Sequence, residues 1–295
     1  MVNVEIAKVC GLCAGCTIAI KTTENEIKKG KKVTIFKEIV HNKNVNSYLK
    51  SIGANCEENI EYLPKDNTII VRAHGEPPKT YEYFKDNEIE FVDCTCPNVA
   101  DIHNKVKYYS DLGYKIILLG KHKQKMHPEI WGTIGWSSTE VVLIEDNDDL
   151  EKLKLYKNDK FYLVCQTTFN MSKADILIGE IEKIMVDTRS TVVVNKSLCN
   201  AQKAINASSV ELAKSRDIMI VIGGANSSNS RELYNNIQNY CPSIFIEDIN
   251  TYKAALIDNN LIITENTKVG ITAGASTRKE ELLELKQLIQ KDFMA

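Results

Sequence analysis

The sequence has no excess of either charge. Its 37 Lys and Arg face 39 Asp and Glu, so nothing in the balance favours binding to nucleic acid or to an anionic membrane. No apolar run reaches the roughly 18 residues that a spanning helix needs, and no membrane partner is expected. The opening residues, Met1-Val2-Asn3-Val4-Glu5, lack the basic-then-apolar layout of a secretory leader, which makes the cytoplasm the expected location. Neither a GxGxxG fingerprint nor a Gly-Lys-Ser/Thr loop occurs, so nucleotide binding has little support. No low-complexity linker divides the 295 residues. What remains is ordinary for a soluble globular protein: 43% hydrophobic and 26% charged residues, and a chain long enough for two or three domains.

Cysteine, by contrast, is plentiful. The nine cysteines are odd in number and irregular in spacing, which argues against a disulfide framework. Under reducing conditions, clustered cysteines more often serve metal binding or catalysis. Three segments stand out: Cys10-Gly11-Leu12-Cys13-Ala14-Gly15-Cys16, Asp93-Cys94-Thr95-Cys96-Pro97 and Ser197-Leu198-Cys199-Asn200-Ala201. Cys13, Cys96 and Cys199 cut the chain into thirds of comparable size. One thiolate from each third, meeting at a centre, would give a three-cysteine site. On a four-iron cluster that leaves one iron open to substrate, much as a catalytic zinc keeps an open position. Zinc accepts the same thiolates, so a structural zinc site stands beside this reading. The run Cys10-x-x-Cys13-x-x-Cys16 begins like a ferredoxin module, but position 20 is Ile where a fourth ligand would stand. Cys94 and Cys165 suit reduced core cysteines, or residues that line the site without ligating, and Cys56 and Cys241 read as bystanders in polar loops.

The patterning predicts α/β architecture. Strands are expected over residues 4–9, 33–36, 67–73, 89–93, 115–120, 141–144, 161–164, 191–194, 218–222, 244–246 and 268–272. Helices are expected over 17–29, 44–52, 79–87, 98–112, 172–185, 200–215 and 279–291. Strand after strand ends in a residue able to do chemistry, as open α/β sheets place ligands beyond the carboxyl ends of their strands. Three similar α/β domains are expected: 1–96, carrying the Cys13 turn, then 97–196 and 197–295.

His41, His74 and His127 each fall at a predicted strand end, where an imidazole can donate to phosphate oxygens. Asn226-Ser227-Ser228-Asn229-Ser230 is dense in hydroxyl and amide donors after two glycines, and Gly274-Ala275-Ser276 adds another hydroxyl. Either stretch serves as a polar turn with a helix N-cap or as a phosphate cradle. Together they suit a diphosphate held without an Arg or Lys clamp. Glu129, after His127-Pro128, is the best-placed carboxylate for proton delivery, with Thr167 and Thr168 able to relay or orient the proton. Working as an acid near neutral pH would require its pKa to be raised by burial or a nearby anion.

The motifs Gly-Leu-Cys13-Ala-Gly, Glu-Ile-Val-His41-Asn, Ala-His74-Gly, Asp-Cys-Thr-Cys96-Pro, His127-Pro-Glu129, Gln-Thr167-Thr168, Asn-Ser227-Ser228-Asn229-Ser and Thr-Ala-Gly-Ala-Ser276 stand in the order seen in the LytB family of 4-hydroxy-3-methylbut-2-enyl diphosphate reductases. The chain resembles that family from about residue 4 to residue 278. The resemblance implies a trefoil of three α/β domains round a central 4Fe-4S cluster held by Cys13, Cys96 and Cys199. It implies that His41, His74, His127, Thr167, Ser227, Ser228, Asn229 and Ser276 bind the allylic diphosphate, and that Glu129, Thr168 and His127 serve catalysis. The implied reaction is reductive dehydroxylation to isopentenyl and dimethylallyl diphosphate, the last step of non-mevalonate isoprenoid synthesis. Reduced ferredoxin or flavodoxin is the implied electron donor. Cys10, Cys16, Cys94 and Cys165 depart from the family pattern around the cluster. They motivate an alternative: a divergent iron–sulfur relative that reduces another substrate or senses redox state.

Overall fold

The computed structural model describes residues 2–40, 42–224 and 227–293, without the side chain of Ser228. Two compact units emerge. One comprises Met1–Glu24, Glu38–Ala54 and Asn200–Ala295; the other comprises Asn25–Lys37 and Asn55–Cys199. Among the described residues there are three four-stranded sheets, flanked by helices, and the fold class is α/β as the patterning predicts.

The first unit holds the sheet β1-β12-β10-β11, built from Asn3–Ile6 (β1), Ile218–Ile222 (β10), Ser243–Ile246 (β11) and Lys268–Ala273 (β12). Every residue of β10 is buried. Such a continuous apolar run is the mark of a parallel strand covered on both faces. β1 pairs in parallel with β12, and β12 with β10. Helices α2 (Lys43–Ser51), α7 (Asn200–Ala213), α8 (Ser228–Gln238), α9 (Tyr252–Asp258) and α10 (Lys279–Asp292) complete this unit, and α1 (Ala14–Lys28) begins in it.

The second unit holds two sheets. One has the order β3-β2-β4-β5, from Val33–Phe36 (β2), Ala54–Glu57 (β3), Thr68–Val71 (β4) and Phe91–Asp93 (β5). The other has the order β7-β6-β8-β9, from Lys115–Leu119 (β6), Val141–Ile144 (β7), Lys160–Cys165 (β8) and Thr191–Asn195 (β9). The pairs β2–β4, β4–β5, β6–β7, β6–β8 and β8–β9 are all parallel. Helices α3 (Pro78–Asp86), α4 (Pro97–Asp111), α5 (Pro128–Ile134) and α6 (Met171–Asp187) connect them. Three of these helices carry Pro in the first turn, where its missing N–H costs nothing and its fixed φ favours helix.

Several elements differ from the sequence expectation. Helix α1 starts at Ala14 rather than 17, which draws Cys16 into its first turn. Strand β1 ends at Ile6, and it joins the sheet of the last third of the chain. β3, α5, α8 and α9 have no counterpart in the predicted elements. Cys241, read as a loop bystander, is buried against the core around Val221 and Leu233. No helix among the described residues is long and apolar enough to cross a membrane.

Candidate functional site

In the second unit the ends of β4, β5, β8 and β9 deliver their loops to one another. The His74-Gly75 turn follows β4. Gly75 has φ +71, and a Cβ there would lie 2.5 Å from Cε1 of His103, so only glycine fits. His103 itself is buried, and burial holds its pKa down to about 4. It is a neutral structural ring, stacked on Trp136 at 5.3 Å. Glu76 anchors the turn from the other side. Its fully buried carboxylate takes Lys37 Nζ at 2.8 Å and Arg72 Nε at 3.0 Å, a double pairing that a buried charge requires.

From this turn the contacts run in a closed ring. The Ala73 carbonyl accepts the Cys96 N–H at 2.9 Å. Asn98, two residues on, directs its side-chain amide to Cys199 Sγ at 3.5 Å. The Cys199 N–H donates to the Thr167 carbonyl at 2.8 Å. Thr167 in turn donates its N–H to Glu129 Oε1 at 2.6 Å and its hydroxyl to Glu129 Oε2 at 2.7 Å. The Glu129 N–H donates to His127 Nδ1 at 3.2 Å, and the His127 ring stands edge-on to His74 at 5.4 Å. Because Nδ1 of His127 accepts, a neutral ring carries its proton on Nε2.

Glu129 is 2% exposed. Burial pushes its carboxyl up to about 7, against the two Thr167 hydrogen bonds that favour the charged form. This is the elevation that a proton donor near neutrality needs. Thr168 takes a different partner: its hydroxyl oxygen accepts from Gln166 Nε2 at 2.9 Å, while Gln166 Oε1 accepts the Lys121 N–H at 3.0 Å. Asn98 escaped the sequence reading, and Gln166 stood there only as part of the Gln-Thr167-Thr168 motif, because an amide that braces a neighbour carries no signal of its own.

In the first unit the Cys13 turn is clamped to the loop after β12. Gly11 (φ +74) reverses the chain, and the N–H groups of Gly11, Leu12 and Cys13 donate to the carbonyls of Ala273, Thr277 and Ala275. Ser276 lies within this clamp. Its carbonyl accepts from Asn42 Nδ2 at 2.9 Å, and Asn42 Oδ1 caps α2 by accepting from Asn44 and Val45. Replacing Asn42 with Ala is expected to cost about 1 kcal/mol of stability through the lost cap, measurable by thermal unfolding. Ser227 caps α8, its hydroxyl oxygen accepting the Ser230 N–H at 3.3 Å and the Ser230 hydroxyl at 3.0 Å. Asn229 lies in the first turn of α8, and its carbonyl accepts from Gln202. His41 and the side chain of Ser228 lie outside the described residues.

The nine cysteines sort by position. Cys13 immediately precedes α1, Cys96 stands at the N-cap position of α4, and Cys199 immediately precedes α7. A helix N-terminus is where a thiolate is favoured. A hydrogen bond from Cys16, aided by the amides of Gly15 and Cys16, draws the Cys13 thiol down to about 6 against its burial. Burial instead pushes Cys10 up to about 11 and Cys165 up to about 12, so both stay protonated. The donor chemistry of Cys13, Cys96 and Cys199 therefore fits an iron–sulfur cluster. Among the described residues no group of three His, Cys, Asp or Glu side chains is arranged as a metal cage. Cys13 belongs to the first unit, Cys96 and Cys199 to the second.

A profile of the LytB protein family matches residues 4–290. The chain belongs to the LytB family. A relative from Clostridioides difficile (strain 630), 4-hydroxy-3-methylbut-2-enyl diphosphate reductase, is 34% identical over 93% of this chain and 94% of its own length. The protein of the same name from Helicobacter pylori (strain Shi470) is 32% identical, over 97% and 98%. Among solved structures, (E)-4-hydroxy-3-methyl-but-2-enyl diphosphate reductase, the terminal enzyme of the non-mevalonate pathway, superposes with a TM-score of 0.76. It is 29% identical and covers 99% of this chain and 100% of that one. The E-1-hydroxy-2-methyl-but-2-enyl-4-diphosphate reductase of Plasmodium falciparum gives 0.81 at 25% identity, over 98% and 88%. Family members are iron–sulfur oxidoreductases, as the resemblance of the motifs implies.

Proposed function

We propose that this chain reduces 4-hydroxy-3-methylbut-2-enyl diphosphate to isopentenyl and dimethylallyl diphosphate, with Glu129 as the proton source. The observation that carries the reading is the ring through Cys96, Cys199, Thr167, Glu129 and His127. It links two thiols suited to a cluster to a buried carboxyl that holds a proton near neutral pH.

The overall change replaces a carbon–oxygen bond by a carbon–hydrogen bond. Two electrons and two protons enter, and one water leaves. Cys13, Cys96 and Cys199 would hold a 4Fe-4S cluster, which when bound supplies single electrons and an iron open to act as a Lewis acid on a hydroxyl. The other residues bind, orient and protonate. Ser227, Ser228, Asn229, Ser276, His41 and His74 hold the diphosphate, so that remote binding positions the reacting carbon. Hydroxyls and side-chain amides at the start of α8 suit an anion at a helix N-terminus. His127 contacts the substrate through Nε2–H, since its Nδ1 is occupied by the Glu129 amide. Glu129 Oε1 or Oε2 delivers the proton, and the Thr167 hydroxyl orients it, while Thr168, held by the Gln166 amide, assists catalysis. Burial of Glu129 keeps that proton from bulk water until substrate is in place. Electrons come one at a time from reduced ferredoxin or flavodoxin, and an odd, irregularly spaced set of cysteines suits the reducing cytoplasm.

Thr167→Val should move the pH dependence in a defined direction. The Thr167 hydroxyl favours the ionised form of Glu129, so its loss raises that pKa further. The alkaline fall of turnover shifts upward by about one to two pH units, since a hydrogen bond to a charged group contributes about 1.5–3 kcal/mol. An unmoved profile would disconnect Thr167 from the proton.

The reading itself is tested by reconstituting the cluster without oxygen and adding the substrate to the chain with reduced viologen. Consumption of two viologen electrons per molecule of isopentenyl or dimethylallyl diphosphate is expected. An intact cluster with no product would refute the assignment.

A further inference from the structure

We propose that Cys13 and Cys16 close a reversible disulfide in the chain that carries no cluster, with Cys16 as the resolving thiol. Of the three cysteines in Cys10-Gly11-Leu12-Cys13-Ala14-Gly15-Cys16, the cluster reading uses one. The two others each stand three residues from it, yet they are placed differently. Gly11, at φ +74, turns the chain between Cys10 and Cys13. The Cys10 thiol donates to the Ala7 carbonyl at 3.1 Å, and its side chain packs against two hydrophobic clusters. It is committed to the core. Cys16 lies in the first turn of α1, just after Cys13, and its side chain is already hydrogen-bonded to Cys13. Side chains at i and i+3 face each other across a helical turn. With Cys13 outside the helix, the chain can bring the two sulfurs to bonding distance by a small adjustment at Ala14.

The oxidant is a small-molecule disulfide such as oxidised glutathione. The Cys13 sulfur attacks it, a mixed disulfide forms and one glutathione leaves as its thiol. The Cys16 sulfur then displaces the second glutathione. One sulfur–sulfur bond is broken and one formed, the two protein thiols are oxidised, and their protons leave with the two glutathione thiols. Closed in this way, Cys13 is shielded from irreversible oxidation and withheld from iron until it is reduced. That protective role rests on Cys13 being a cluster ligand; the disulfide itself does not.

The test uses the full chain without its cluster, treated with oxidised glutathione, alkylated and digested with trypsin. Residues 9–21 form one peptide carrying all three cysteines. The expected map has Cys13 linked to Cys16, Cys10 alkylated and no glutathione retained. In Cys16→Ala, and equally in Cys16→Ser, glutathione should remain on Cys13. A Cys10–Cys13 bond, glutathione retained on wild-type Cys13, or three alkylated cysteines would overturn the proposal. Iron and sulfide loading gives a second readout. The oxidised chain should load only after treatment with dithiothreitol, and equal loading before and after would refute the withholding role. A chain that loads in neither state counts against the cluster reading, and the peptide map then decides the disulfide alone.

Discussion

Glu129→Gln is expected to lower turnover by about 10²–10⁴-fold, the range that a positioned proton donor contributes, while leaving cluster content unchanged. The substitution is close to isosteric. Glutamine Oε1 can accept the Thr167 N–H, and its amide can donate to Thr167 Oγ1 once that hydroxyl rotates. The packing round a residue 2% exposed is thereby preserved. Stability should move the opposite way. The carboxyl titrates at about 7 in the folded chain against an ordinary 4.5. The folded state therefore holds the proton more tightly, and stability falls as pH rises between those values. Above pH 7 the penalty is complete, at roughly 3 kcal/mol for that difference. Gln never ionises, so the variant should be more stable than wild type at pH 8 and equal to it below about pH 4. Chemical unfolding at the two pH values checks this. A variant both inactive and destabilised at pH 8 would make Glu129 a packing residue.

The second large effect concerns the cysteines. Cys13→Ser, Cys96→Ser and Cys199→Ser should each reduce iron and sulfide content and turnover by more than the roughly 10–100-fold that loss of an outer-shell partner costs. Cys165→Ala should leave both intact. Its thiol is wholly buried, is held protonated by that burial, and packs in the core with Leu119 and Leu163. Its loss costs stability on the order of 1 kcal/mol. Iron analysis of the four variants after identical reconstitution separates the groups. Wild-type iron in any of the three Ser variants would remove that cysteine from the ligand set.

Strand ends, where parallel α/β folds place their chemistry, are legible in the sequence as apolar runs that stop at Gly, Pro or Cys. His74, Cys96, Thr167, Ser227 and Ser276, the candidates picked there, all lie in loops that follow strands. Pairing was less legible. β1 joins β12 at the far end of the chain, and no local signal encodes a contact at that separation. For helix α8 the polar stretch Asn226-Ser227-Ser228-Asn229-Ser230 allows an N-cap but marks no helix beyond it, and Ser227 takes that capping place. The division of labour between Thr167 and Thr168 could not be read either, since adjacent threonines differ only in which way the backbone turns them. The structure gives Thr167 the carboxylate and Thr168 the Gln166 amide.

The pH dependence of turnover by the reconstituted wild-type chain bears most directly on the claim that a buried Glu129 supplies the proton. A donor works only while it holds its proton, so turnover should stay level below about pH 7 and then fall about tenfold per pH unit above it. A rate that stays level or rises between pH 7 and 9, with the cluster intact, would contradict it.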